Sequence, residues 1–151
     1  MNPTSDPLLQ SLAALGCGIK VVDHTTLITL PGDDGEFVYE QMGEWLYLGT
    51  TFMAPEEFED SEFSAQLDRF LLQLQHRNLG CRFSYDSAGF LTIGGELGQQ
   101  QQSAQEVMQM LEQILFIIDS CIHLCDKVLD SGDIPGDREV DDAFGVNEAL
   151  H

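Results

Sequence analysis

The chain has 151 residues, 43% of them hydrophobic, and carries 26 Asp and Glu against six Lys and Arg, a formal net charge of −20. That length supports one domain with its own core, and the negative field repels phosphate backbones and anionic lipid, which disfavours nucleic-acid and membrane partners. Asp119 and His123 interrupt the apolar run at Ile114–Ile118, well short of the ~20 residues of a membrane span, and the N-terminus lacks the positive and apolar parts of a leader, so a cytoplasmic location is expected.

The first predicted element is a short helix from Pro7 to about Leu15, with Asp6 as N-cap, proline in the first turn, and Leu8, Leu9, Leu12 and Leu15 at helical spacing. Gly16 and Gly18 end it. A helix this short is stable only when docked. Ile19–Asp23 and Thr26–Leu30 are rich in β-branched and aliphatic residues and read as a hairpin closed at Asp23-His24-Thr25. The turn signal Pro31–Gly35 leads to strands at Phe37–Met42 and Trp45–Phe52, separated by Gly43-Glu44. In the last strand Leu46, Leu48 and Phe52 alternate with Trp45, Tyr47 and Thr51, so neither face is expected to be freely solvated.

An acidic segment around Pro55–Phe58 opens a second helix, from Ser61 or Glu62 to about Arg77, whose stripe is Phe63, Leu67, Phe70, Leu71 and Leu74. Its crowded acids sit where the helix dipole favours negative charge. Cys81–Tyr85 and Phe90–Gly94 form a further hairpin, after which Gly94, Gly95, Gly98 and Gln99–Gln102 read as a flexible polar approach to a long helix. That helix, Ser103–Asp130, opens with the capping-box pattern Ser103-Ala-Gln-Glu106. Its apolar rows, among them Met110, Ile117, Leu124 and Met108, Leu115, Ile122, span about half its circumference or more, too wide for one sheet to cover. The expected organisation is a single α+β domain over 1–132 and an acidic tail, loosely docked or disordered, over 133–151.

No chemistry-bearing motif emerges. The glycines at 94–98 lack the lysine and hydroxyl of a phosphate loop, Asp33-Asp34 lacks the later ligands of a calcium loop, and no serine or cysteine sits in a nucleophile elbow. Cys17, Cys81, Cys121 and Cys125 contain no CxxC pair and read as reduced core residues; on a helix, His123 points away from Cys121 and Cys125. No catalytic residue, cofactor or metal is expected, and the chain does not read as an enzyme.

The element order α-β-β-β(-β)-α-β-β-α, an antiparallel sheet with helices mainly on one face, resembles the class I type III secretion chaperone fold that YbjN-like proteins share. The acidity, the Leu-rich helix Leu8–Leu15, the segment Pro55-Glu-Glu-Phe58 and the pattern around Phe70-Leu71 are similar too. The resemblance covers roughly Leu8–Leu129; the acidic extension beyond it favours the broader YbjN-like group over a secretion role. It implies a homodimer that binds a segment of another protein through apolar patches, chaperone-like or regulatory, without ATP or metal. Partner-binding candidates are Leu8, Leu12, Trp45, Tyr47 and Phe52, and dimer-interface candidates are Met110, Ile117, Ile122 and Leu124. The competing reading is a small-ligand protein or enzyme with a cavity between sheet and helices, and a third is an acidic decoy for a basic surface.

Overall fold

The computed structural model describes residues 6–33, 35–54, 61–76 and 80–131, with the side chains of 61–64, 66, 76 and 125–131 set aside. The tail at 133–151, the acidic segment 55–60 and the side chains of Phe63 and Cys125 therefore lie outside the described residues. The elements are α1 (Pro7–Ala14), β1 (Gly18–Val22), β2 (Thr25–Thr29), β3 (Glu36–Met42), β4 (Trp45–Met53), α2 (Ser61–His76), β5 (Arg82–Tyr85), β6 (Leu91–Leu97) and α3 (Ala104–Ser131). The six strands form one sheet in the order β1-β2-β3-β4-β6-β5. This is the α+β, antiparallel architecture expected from the sequence.

Local chemistry accounts for most boundaries. Asp6 caps α1: one carboxylate oxygen accepts from the Leu8 and Leu9 amides at 2.8 and 3.3 Å, and Pro7 occupies the first turn. At the other end Gly16 takes φ 98°, letting Cys17 N–H donate to Leu12 O and Gly16 N–H to Ala13 O, the paired bonds that close a Schellman motif. Asp23 and His24 both have positive φ, 51° and 68°, which gives a two-residue hairpin turn whose twist matches the strands it joins. The turn is one residue tighter than the sequence pattern indicated, with Val22 paired directly to Thr25. Gly43-Glu44 makes the corresponding turn between β3 and β4, pairing Met42 with Trp45.

The chain divides into two compact units, each assembled from separate stretches. In the first, residues 1–50 and 93–114, the alternation of the strands puts Ile28, Phe37, Tyr39, Leu46, Leu48, Ile93 and Leu97 on one sheet face, all buried. Leu9 and Leu12 of α1 and Val107, Leu111 and Ile114 of α3 complete this core. Tyr39 fixes the side on which α1 lies, since its hydroxyl donates to the other oxygen of the Asp6 cap at 3.3 Å. Burial and the neighbouring carboxylate hold that phenol well above its ordinary range. In the second unit, residues 51–92 and 115–151, Leu67, Phe70, Leu71 and Leu74 of α2 are buried together with Phe83 and Leu91. Gln75 of α2 accepts from the Phe83 amide at 3.1 Å, so a side chain satisfies one donor of the edge strand β5.

One sequence expectation fails here. Gly94 and Gly95 are not part of a flexible approach to α3; they lie inside β6 and are buried. Glycine weakens a strand unless something needs the space of its missing side chain, and at Gly94 that something is Tyr47. The connection to α3 is instead a 3₁₀ turn at Gln99–Gln101, after which the Gln102 amide donates to the Glu44 and Leu97 carbonyls at 2.8 and 3.1 Å. Ser103 then caps α3 by accepting from the Glu106 amide at 3.2 Å.

By length and composition Ala104–Leu124 of α3 is apolar enough to cross a membrane, a point the count of uninterrupted apolar residues missed. Its pattern is that of a core helix. Val107, Leu111, Ile114, Ile118 and Cys121 form a continuous buried stripe, whereas Glu106, Glu112 and Asp119 are exposed. Cys17, Cys81 and Cys121 are free thiols within the core, and burial pushes the Cys81 thiol up to about 11.

Candidate functional site

Period-two alternation means that a sheet with one face in the core displays its other residues on the opposite side. In the first unit that opposite face carries Leu27 on β2, Val38, Glu40 and Met42 on β3, Trp45 and Tyr47 on β4, and Glu96 on β6. None of these side chains is buried. Trp45 is 52% exposed and Met42 44%, while Leu27, Val38 and Tyr47 are half-buried. Among the described residues an apolar and aromatic strip thus runs across a face that covers no core, which corrects the expectation that neither face of β4 is freely solvated.

The strip is shaped by glycine. A Cβ on Gly94 would stand 2.5 Å from the Tyr47 hydroxyl and 2.7 Å from two of its ring carbons, and one on Gly49 would stand 2.3 Å from the hydroxyl. Such separations are far inside van der Waals contact, so the outer edge of the Tyr47 ring lies down on the backbone of its own strand and of β6. The Tyr47 ring therefore rests on the sheet. At Gly98, just past β6, a Cβ would stand 3.5 Å from the Trp45 ring, an ordinary contact that does not require glycine. Register places Glu40 directly across from Tyr47 and Met42 across from Trp45.

The first unit is strongly acidic in composition. Residues 1–50 and 93–114 contain ten acids and a single base, Lys20. The Lys20 ammonium is already held by Glu36 at 2.6 Å on the same face. In partly exposed surroundings that bridge contributes little to stability.

The second unit holds a separate feature, an open groove of about 340 Å³ between α2 and strands β5 and β6, lined by Leu71, Leu72, Phe83, Tyr85 and Leu91. Leu72 is 65% exposed at its rim, and the Tyr85 hydroxyl donates to Asp68 across it. Phe52 meets the edge of Phe83 with ring centroids 6.1 Å apart. A polar depression in the first unit, between the start of α1 and the start of α3, is lined by Asp6, Leu8, Tyr39, Gln41 and Ser103. Asp6 and Ser103 there cap α1 and α3, and the Tyr39 hydroxyl donates to Asp6.

Of the residues singled out from sequence, Trp45 and Tyr47 stand together on the open face, Leu8 is half-buried beside the polar depression, and Phe52 packs on Phe83. Leu12 is wholly buried in the core. On α3, Ile117 and Leu124 are 2% and 1% exposed, Met110 is half-buried, and Ile122 is 42% exposed. Sequence reasoning passed over Met42, Glu40 and Gly94, although Gly94's place within an otherwise strand-like run was a readable signal. Among the described residues no three His, Cys, Asp or Glu side chains converge as metal ligands.

The support of Tyr47 by Gly94 makes a specific prediction. Replacing strand glycine by alanine ordinarily stabilises by about 0.5–1 kcal/mol, but Gly94→Ala is expected to destabilise the protein because it displaces the ring. In a Tyr47→Ala background the same change should be neutral or stabilising, and urea denaturation of the four proteins in the cycle measures the coupling. Equal effects in both backgrounds would mean that Tyr47 does not rest on Gly94.

No family model and no curated protein matches the chain. Among solved structures it is similar to a chain of the crystal structure of the ExsC-ExsE complex, with 16% identity, a TM-score of 0.44, and coverage of 70% of this chain and 72% of that one. Both values are low, and the functional reading below is drawn from this chain's own surfaces.

Proposed function

We propose that the protein is a non-catalytic binding module, chaperone-like or regulatory, that engages a segment of a partner protein on the open sheet face of its first unit. The observation that carries this reading is the strip of Met42, Trp45 and Tyr47 on a sheet face that covers no core. The exposed half of Trp45 buries no apolar area within the fold, whereas aromatic and methionine side chains are among the groups enriched at protein interfaces. The shape of the face favours an extended or flat macromolecular ligand over an enclosed small molecule. Element order supports kinship with the type III secretion chaperone-like and YbjN-like group, and the balance of charge supports a protein partner over nucleic acid or anionic membrane.

The test is selection of random peptides on the immobilised protein, followed by counter-screening on Trp45→Glu. Peptides that bind the unsubstituted chain and lose at least about tenfold in affinity, or roughly 1.4 kcal/mol, on the variant support the assignment. Failure to enrich any peptide, or equal binding to both proteins, contradicts it.

The reading includes a homodimer through α3. What supports it is the row Met108, Leu115 and Ile122: the chain's own core encloses Ile117 and Leu124 of the neighbouring row but leaves Ile122 substantially exposed and Met108 and Leu115 half-buried. A two-fold axis lets one apolar surface cover its own copy. Sedimentation equilibrium at micromolar concentration should give twice the 16.8 kDa of one chain, reverting to a single mass in Ile122→Glu. A mass of 16.8 kDa for the unsubstituted protein rules the dimer out.

A further inference from the structure

We infer that the outer edge of β5 is a second binding surface, which takes an extended peptide segment of another protein as an added strand and an apolar side chain of that segment into the groove beside α2. The residues concerned all belong to the second unit, so the site is independent of the open face of the first.

Hydrogen bonding fixes which backbone groups this edge offers. β5 ends the sheet, with β6 as its neighbour. The Asp86 amide donates to Phe90 O at 2.9 Å, and the Ser84 and Thr92 hydroxyls lie 2.7 Å apart, so Asp86 and Ser84 face β6. Alternate residues of an antiparallel ladder turn their amide and carbonyl to opposite sides. Phe83 therefore turns its own outward, and its amide meets the Gln75 side chain of α2 at 3.1 Å. A carboxamide carbonyl is the chemical equivalent of a peptide carbonyl. Gln75 Oε1 thus holds the place that the C=O of a neighbouring strand takes in β-augmentation.

The surface beside this edge suits a side chain of the same ligand. Phe83, Tyr85 and Leu91 line the sheet side of the groove, and Leu71 and Leu72 line the α2 side. Leu72 is 65% exposed, an apolar group left at the rim. Directly opposite residues in a ladder share a face, so a residue paired with Phe83 points its side chain to the side of α2. One residue then satisfies both features. Its carbonyl replaces Gln75 on the Phe83 amide, its amide donates to the Phe83 carbonyl, and its side chain covers Leu72. The residues before and after it turn to the other face of the sheet beside Ser84, which is exposed. The segment is accordingly apolar at alternate positions and polar between them.

Other occupants use only part of the site. A second copy paired edge to edge at this point brings its own Phe83 opposite, a side chain buried in its own core against Phe52, and so leaves the groove unfilled. A small apolar molecule fills the groove without meeting the backbone groups of the edge.

Short labelled peptides with Leu or Phe at alternate positions among Thr and Ser are the probes, titrated into the full chain and followed by anisotropy and amide NMR. Binding is expected to shift the Phe83 amide and the Gln75 side-chain amide together and to leave the Trp45 indole unmoved. N-methylation at the apolar residues, which removes the donors that face β5, should weaken binding about tenfold or more, whereas N-methylation at the intervening Thr and Ser should cost less than about twofold. Leu72→Glu, an exposed substitution, should lose about tenfold or more, and Gln75→Ala should bind roughly two- to fivefold more tightly because the competing carboxamide is gone. Equal effects of the two N-methylation patterns would show that the groove takes side chains without a strand, and would overturn the inference. So would the absence of any Phe83 shift at peptide concentrations up to about 1 mM, or a concentration-dependent Phe83 shift without peptide, which would assign the edge to a second copy. Peptide binding lost in Trp45→Glu but kept in Leu72→Glu would place these peptides on the open face and overturn the inference while leaving the reading of that face intact.

Discussion

A strand shows its side chains to two sides in strict alternation, and the first unit uses only one of them for its core. Phe37, Tyr39, Leu46 and Leu48 go one way and lose their contact with water; Glu40, Met42, Trp45 and Tyr47 go the other and keep it. Nothing in this arrangement is adjustable by small steps, because a slip of one residue would exchange the two sets. The two-residue turns at Asp23-His24 and Gly43-Glu44 pin the register, the former by accepting a left-handed backbone at two consecutive non-glycine residues. The exposed aromatic strip is thus a consequence of the same ladder that builds the core. Burial of one set stabilises the fold, and the other set is available for recognition.

The glycines of β4 and β6 show how the strip is kept flat. A β-branched residue at position 94 would have suited strand propensity better, yet any Cβ there collides with Tyr47. Glycine weakens the strand locally and lets a large ring lie down on the sheet. The compromise is intelligible if the ring's orientation matters to something outside the core. It is less so if Tyr47 is only a surface residue, since smaller side chains would satisfy the same position without demanding two glycines.

Much of this was readable in the residues. Asp6-Pro7, Pro31–Gly35 and Ser103-Ala-Gln-Glu106 are local signals with local mechanisms, and each marks an element boundary in the structure. The helical stripe of Leu67, Phe70, Leu71 and Leu74 is buried as its spacing indicated. Two readings went astray where a distant residue decided the outcome. Gly94-Gly95 looked like a linker because glycine is locally permissive, and only the approach of Tyr47 across the sheet explains its place in a strand. The apolar residues of β4 looked enclosed on both sides because alternation reveals which residues share a face but not whether a second layer covers it. The division into two compact units was likewise invisible, since each is assembled from stretches separated along the chain.

The central claim is that Met42 and Trp45 face water when the protein is alone. Hydroxyl-radical footprinting read by mass spectrometry tests it directly, since solvent-exposed methionine and tryptophan react rapidly and buried side chains are shielded. Fast modification of Met42 and Trp45, with Phe37 and Tyr39 protected in the same sample, is the predicted result. Protection of Met42 and Trp45 to the level of Phe37 would show that another part of the chain, or a second copy, already covers this face, and would contradict the account.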